Sequence, residues 1–317
     1  MTPIPQHQPT DPRVSIMVRN FCVAAALAGS MILASAAMSM AQQAYPTPEA
    51  AAKDLVDSAR SDADGFARRI FGAEGKALLE SGDAREDSRR LAEFNEGASK
   101  GASLVGNADN MKLLRLSGNG WILPVPIVKR DDSWRFDAAA GKVEIENRLI
   151  GHNELSAIAA CHAYVQAQEE YHRIDRDQNQ LREFAQKIIS SPDARDGLYW
   201  PPENQADISP LEGLISDANL DKREQGSPEP YNGYFFKILK AQGPAAPGGA
   251  FSYVINGHMI AGYALVAYPA VWGKSGIKSF ICGQNDKVYE RDLGAGSTAI
   301  GAAMTRFDPD TNWSPVE

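Results

Sequence analysis

The chain is short of the residues that build most metal and thiol chemistry. Among its 317 residues stand three cysteines and five histidines. It contains no CxxC and no HExxH, which excludes the usual zinc knots and helix-borne zinc hydrolase sites on spacing alone. It has no G-x-S-x-G elbow for a nucleophilic serine. The Gly/Pro stretch Gly243 to Gly249 lacks the lysine and following helix of a phosphate loop, and reads as a hairpin loop. Basic clusters are missing too. Lysine and arginine number 32 against 40 aspartates and glutamates, a formal charge of −8. Without a basic footprint to release counterions, nucleic acid is excluded as a partner, and so is an anionic membrane surface.

Long apolar runs are also lacking, with one exception. Arg19 is followed by the uncharged, alanine-rich run Phe21 to Ala37, and Ser39-Met40-Ala41 puts small residues before Gln42. Residues 17–41 therefore read as a secretory signal peptide, with residues 1–16 as a possible extra N-terminal extension. This predicts a periplasmic or secreted protein with no membrane attachment once the signal is removed. Removing residues 1–41 takes away Asp11, Arg13 and Arg19, a net charge of +1, so −8 becomes −9.

The compartment gives the remaining cysteines their meaning. Cys161 and Cys282 are an even pair, and in an oxidising compartment such a pair is a disulfide candidate. The alternative is two buried thiols that never meet.

The element pattern predicts an α+β fold. Thr47-Pro48 starts a helix over 48–60, short helices follow near 64–71 and 74–80, and Asp83 with Glu86 opens another over 84–97. Met111 to Leu116, Trp121 to Lys129 and Ser133 to Asp137 read as strands, with Asp131-Asp132 as a turn. A connecting helix over 141–149, a long helix over 153–175 and a further one over 182–190 follow. After a loop-rich stretch, strands are expected at 234–239, 251–256, 259–267, 277–282 and 287–291, then a short helix near 296–304. The domains expected are 45–150 and 151–317.

Several sequences carry a family likeness. They are Tyr45-Pro-Thr-Pro-Glu-Ala-Ala-Ala, Pro124-Val-Pro-Ile-Val-Lys, Trp134-Arg-Phe-Asp, Arg195-Asp-Gly-Leu-Tyr-Trp-Pro, Ala241-Gln-Gly-Pro-Ala-Ala-Pro-Gly-Gly and Met304-Thr-Arg-Phe-Asp-Pro-Asp. Together they resemble domain-of-unknown-function family 2950, a group of exported bacterial proteins. The resemblance implies an envelope location and brings no reaction with it. The first half is similar to the nuclear transport factor 2-like cone, in which a helix packs into a bent sheet. That likeness implies a small-ligand binder, with Trp121 or Trp134 lining a cavity. Residues 151–292 resemble the heads of type IV pilins and pseudopilins, through Asn153-Glu-Leu-Ser-Ala-Ile, Tyr171, Gly233-Tyr-Phe-Phe-Lys-Ile and Gly276-Ile-Lys-Ser-Phe.

Among candidate sites, Asp175, Asp177, Asn179 and Glu183 supply oxygens at an EF-hand-like spacing, and the Leu181 carbonyl falls at the position where that loop uses backbone. Calcium is the cofactor this pattern suggests. Against it, Gln180 stands where glycine favours the turn, and Gln186 where a bidentate glutamate belongs; the alternative is a solvated turn. His152, His162 and His172 recur every ten residues, a step that leaves neighbours about 80° apart on a helix, so they do not converge on one metal. Lys274-Ser275-Gly276 and Ser275-x-x-Lys278 echo penicillin-recognising enzymes, but share one serine and so cannot fill both roles. The aromatics of the second half, among them Trp200, Tyr234, Tyr263 and Trp272, fit a sheet core better than a ligand groove. The expectation is a non-enzymatic envelope module that binds a protein partner. The alternatives are a hydrolase built on His162 or Glu183 with a neighbouring carboxylate, and the small-ligand binder.

Overall fold

A computed structural model describes residues 42–61, 65–79, 84–204, 206–212 and 229–316. The expected signal peptide, and Asp83 of the expected capping box, lie outside the described residues.

Helix α1, Pro48–Ser61, begins where the sequence places it. Thr47 Oγ1 accepts from the Ala50 amide at 3.2 Å, and proline takes the first helical position, where no amide is needed. Ala51, Leu55, Ser58 and Ala59 form its buried stripe. Helices α2 (Phe66–Phe71), α3 (Gly75–Leu79) and α4 (Ala84–Ser99) follow.

Four antiparallel strands come next, paired in sequence order: β1 Ala102–Val105, β2 Met111–Leu116, β3 Ile127–Arg130 and β4 Ser133–Phe136. The strand expected over 121–129 is cut to its end, because Pro124 and Pro126 carry no amide for the ladder. A single bridge from Ile122 to Arg115 remains of the earlier part. The Asp131-Asp132 turn forms as expected, with Asp131 at φ 54. Leu55, Ile70, Leu114, Leu116, Ile127 and Phe136 make the core of this half.

Tyr45 ties the start of the described chain to this sheet, exchanging both backbone hydrogen bonds with Trp134 at 2.9 and 2.8 Å. Its hydroxyl donates to Asp54 at 2.6 Å, and Arg69 holds the same carboxylate through both terminal nitrogens at 2.5 and 3.1 Å. Those hydrogen bonds from Arg69 keep the Asp54 carboxyl below its ordinary range.

Helix α5 runs unbroken from Ala138 to His172. The connecting helix and the long helix expected from the sequence are one element, and the boundary expected between 150 and 151 falls inside it. Asp137 caps it by accepting from the Ala140 amide at 3.1 Å. Gly151 is the one weak point at the expected break, and a lone mid-helix glycine costs only about 1 kcal/mol. Tertiary packing offsets that, since Ile150, Asn153 and Ala157 are buried on either side of it.

The second sheet has the order β13-β12-β11-β10-β5, all antiparallel. Its strands are β5 Tyr234–Leu239, β10 Ala264–Pro269, β11 Lys278–Gly283, β12 Val288–Asp292 and β13 Ser314–Pro315. The small hairpins β6 (Ala241–Gln242) with β7 (Phe251–Ser252), and β8 (Val254–Ile255) with β9 (His258–Met259), precede β10. The turn between β8 and β9 is Asn256-Gly257, both at positive φ, as an Asn-Gly hairpin requires.

All six residues of β10 are buried, so both faces of the sheet are covered. Helix α5 packs on the side of Leu265 and Cys282. Helix α6, Ser297–Ala303, covers the other, with Gly301 so close to Tyr268 that a Cβ would stand 2.3 Å from its ring.

The helix expected over 182–190 does not form. This stretch is extended, its place fixed by a buried amide. Gln168 of α5 accepts from the Ala185 amide at 2.8 Å and donates to the Ala185 carbonyl at 2.9 Å. A side chain thus serves as the neighbouring strand.

Candidate functional site

Four groups of polar side chains stand out, and each is built by the elements just described. The first is the loop that follows α5. The calcium-loop candidates Asp175, Asp177, Asn179 and Glu183 do come together, around Asn179. Its amide Nδ2 donates to Asp177 and to Glu183, both at 2.8 Å. Asp175 accepts from the backbone of Asn179 at 3.2 Å and of Gln180 at 2.9 Å. The Leu181 amide donates to Asn179 Oδ1 at 2.7 Å, while the Leu181 side chain faces solvent.

Gln180 adopts φ 71, so the turn that favours glycine is made here by glutamine. Gln186 points elsewhere, donating to the Gly257 carbonyl at 2.8 Å. Among the described residues no group of three or more His, Cys, Asp or Glu side chains is placed to hold a metal ion. A cation in this loop would therefore rely on Asn179 and backbone oxygen as well as the carboxylates.

Glu183 also joins this loop to the β8–β9 hairpin. Its Oε1 meets His258 Nδ1 at 2.7 Å. No sequence spacing pointed to His258, because the two residues meet only when β9 folds beside the loop.

The second group surrounds Trp200. Trp200 is buried and donates its indole N–H to Asp207 at 3.0 Å. Arg195 grips the same carboxylate through two nitrogens at 3.1 and 2.7 Å, and these bonds pull Asp207 down to about 2. The Arg176 guanidinium lies over the Tyr171 ring at 4.6 Å and the Trp200 ring at 5.0 Å.

The third group lies along the exposed side of α5. His162 Nδ1 meets Asp286 Oδ1 at 2.7 Å, and two turns further on Glu169 accepts from the Tyr263 hydroxyl at 2.7 Å. Burial, and then Glu169, raise Tyr263 well beyond the usual phenol range. Facing the core from the same helix, Cys161 meets Cys282 of β11. Both are fully buried free thiols, near each other but not at disulfide distance. Burial, with Cys161 beside it, pushes the Cys282 thiol up.

The fourth group is the turn between β10 and β11. Ser275 Oγ accepts from the Val271 amide at 3.0 Å and donates to the Val271 carbonyl at 3.2 Å, so this hydroxyl is committed to the turn. Asn153 donates to the Ser275 carbonyl at 2.9 Å, and Glu154 accepts from the amides of Ile277 and Lys278 at 2.9 and 3.0 Å. Helix α5 thereby pins the turn, and Val271, Trp272 and Ile277 stand on its surface, all exposed. The other sequence candidates are core or surface: Trp134 is buried, and Trp121 is exposed with its edge against Phe94 at 6.4 Å.

The family model described as "Protein of unknown function (DUF2950)" matches residues 42–316. The chain belongs to this family. No curated protein and no solved structure matches it. Two of the stretches that carry the family likeness meet in space. The Gly243 amide donates to the Phe307 carbonyl at 2.8 Å, Phe307 returns a bond to Ala241 at 2.9 Å, and Asp308 accepts from the Ala245 amide at 2.8 Å. Gly243 lets the Asp308 carboxyl approach, since a Cβ would stand 2.2 Å from its carbon and push that side chain off the Ala245 amide.

The likeness to pilin heads is not borne out. The helix that suggested it is the second half of α5, which starts beside the first sheet, and no helix among the described residues is long and apolar enough to cross a membrane.

Proposed function

We propose that the protein is an exported envelope component that holds a protein partner rather than turning over a substrate. The observation that carries this reading is the turn at 271–277. Exposed apolar side chains normally sit singly, but here Val271, Trp272 and Ile277 share one short turn. Its backbone is fastened by Ser275, Asn153 and Glu154, so little conformational entropy remains to be lost on docking. Tryptophan set in such a patch is a common anchor of protein interfaces. The partner would present an apolar face of its own.

Two further features belong to the same reading. Cys161 of α5 and Cys282 of β11 are the disulfide candidates in the mature, exported protein, two thiols that stand apart here and would close up to form it. The run of oxygen-bearing residues at 175–183 would hold a structural calcium ion once Asp177 and Glu183 turned from the Asn179 amide that they accept from here. Envelope extract passed over immobilised protein tests the partner reading, with the double variant Val271→Asp, Trp272→Asp beside it. A partner retained by the parent and lost from a folded variant supports it. Equal retention by both, or retention by neither, overturns it.

A second reading is favoured by one observation, the carboxylate-oriented imidazole of His162 on Asp286. An imidazole held this way is a general base in many hydrolases. Loss of hydrolysis in His162→Ala, on a panel of ester and amide substrates, would support it; a parent protein inert on the panel would remove it.

A further inference from the structure

Arginine is the one side chain that cannot escape burial by giving up its charge. A guanidinium drawn out of water therefore needs an anion or a full set of acceptors. Arg176 has neither. Its Nε is buried without a hydrogen-bond partner, and its terminal nitrogens make no ion pair with any described residue. The neighbouring Arg195 is the contrast. It lies over the same Trp200 ring at 5.8 Å, yet Asp207 and Glu203 both pair with it.

We propose that Arg176 is the anchor of a carboxylate-binding site on the Tyr171–Trp200 shelf. The shelf is preorganised. Tyr171 is fixed by donating to the Arg195 carbonyl at 2.9 Å, and Trp200 by donating to Asp207 at 3.0 Å. A guanidinium lying over rings keeps its plane fixed, and with Nε closed off it offers its two terminal nitrogens. That edge pairs with two oxygens of one anion, and the field of Glu170 and Asp207 favours a carboxylate, with one charge per group, over a doubly charged sulfate or phosphate.

The field of Glu170 and Asp207 opposes an incoming anion, so binding is weak, in the millimolar range. The site uses elements other than the 271–277 turn and stands or falls separately from the partner reading.

The test is a nuclear magnetic resonance titration of the purified protein, following the Trp200 indole N–H. Acetate and succinate are the probes at constant ionic strength, with chloride and sulfate as controls. A peptide with a free C-terminus, beside its amidated form, shows whether a tethered carboxylate enters as well. The expected result is a saturable shift with acetate and succinate, weakened about tenfold in Arg176→Lys and absent in Arg176→Gln. An equal response to chloride, a stronger one to sulfate, or an undiminished one in Arg176→Gln overturns the proposal. Should the glutamine variant lose its native Trp200 resonance, the lysine variant decides.

Discussion

The side-chain amide of Gln168 pairs with both polar groups of the Ala185 backbone, and its Nε2 also donates to the Tyr164 hydroxyl at 3.0 Å. Gln168 is fully buried, so every one of these bonds is made away from water. Gln168→Leu has a similar volume but leaves the Ala185 amide and carbonyl unpaired. An unsatisfied buried group costs about 1–3 kcal/mol. Urea unfolding should show a loss of about 2–6 kcal/mol in this variant, from two such groups.

Gly301 offers a test of the packing of α6. An added Cβ meets the Tyr268 ring at 2.3 Å, and neither the helix nor the sheet can yield cheaply. Overpacking of this kind costs about 1–3 kcal/mol, against about 1 kcal/mol gained from alanine's helix propensity. Gly301→Ala should therefore lower the melting temperature, despite placing a better helix former in a helix.

Acid should loosen the Trp200 region before the sheet cores. Arg195 holds the folded Asp207 at about 2, below the value of about 3.9 for an unfolded aspartate. A depressed carboxyl stabilises the fold above the unfolded value, and that contribution drains away as pH falls from about 4 towards about 2. Tryptophan fluorescence followed through this window should show the change. Asp207→Asn should show it already at neutral pH.

Calcium binding at 175–183 would add stability by mass action. Millimolar calcium should raise the melting temperature by a few degrees, and a chelator should reverse this. Asp175→Ala with Asp177→Ala should melt at one temperature with or without calcium. A parent protein indifferent to calcium would leave the loop as a solvated turn.

The thiol pair gives the export reading its sharpest check. Protein recovered from an exporting host should react with no thiol reagent after denaturation, and its mass should be lower by two hydrogens. Reactive thiols at Cys161 and Cys282 would remove the support they lend to an oxidising compartment.

The sequence made much of this fold legible where local chemistry decides it. Thr47-Pro48, Asn256-Gly257 and Asp131-Asp132 each form the cap or turn their residues favour. The 111–116 and 234–239 strands stand where the apolar runs put them. It failed where distant contacts decide. The 182–190 segment carries helical spacing, but Gln168 claims the Ala185 backbone. The break expected between the 141–149 and 153–175 helices does not form, and Asn153 lies inside α5 with its amide spent on Ser275. The candidate sites followed the same rule. The 175–183 cluster is contiguous and could be read, whereas the meetings of His258 with Glu183 and of Arg176 with Trp200 join separate stretches and leave no spacing to detect.

Helix α5 is about 50 Å long at the usual rise per residue; its first turns pack on Val125 and Ile122 of the first half, and its later turns on the second sheet. A truncation made at residue 150, where the composition suggests a seam, would saw this beam through. Each fragment would inherit half a rod and a stripe of bare apolar surface, so neither half should be produced alone without the other's share of the timber.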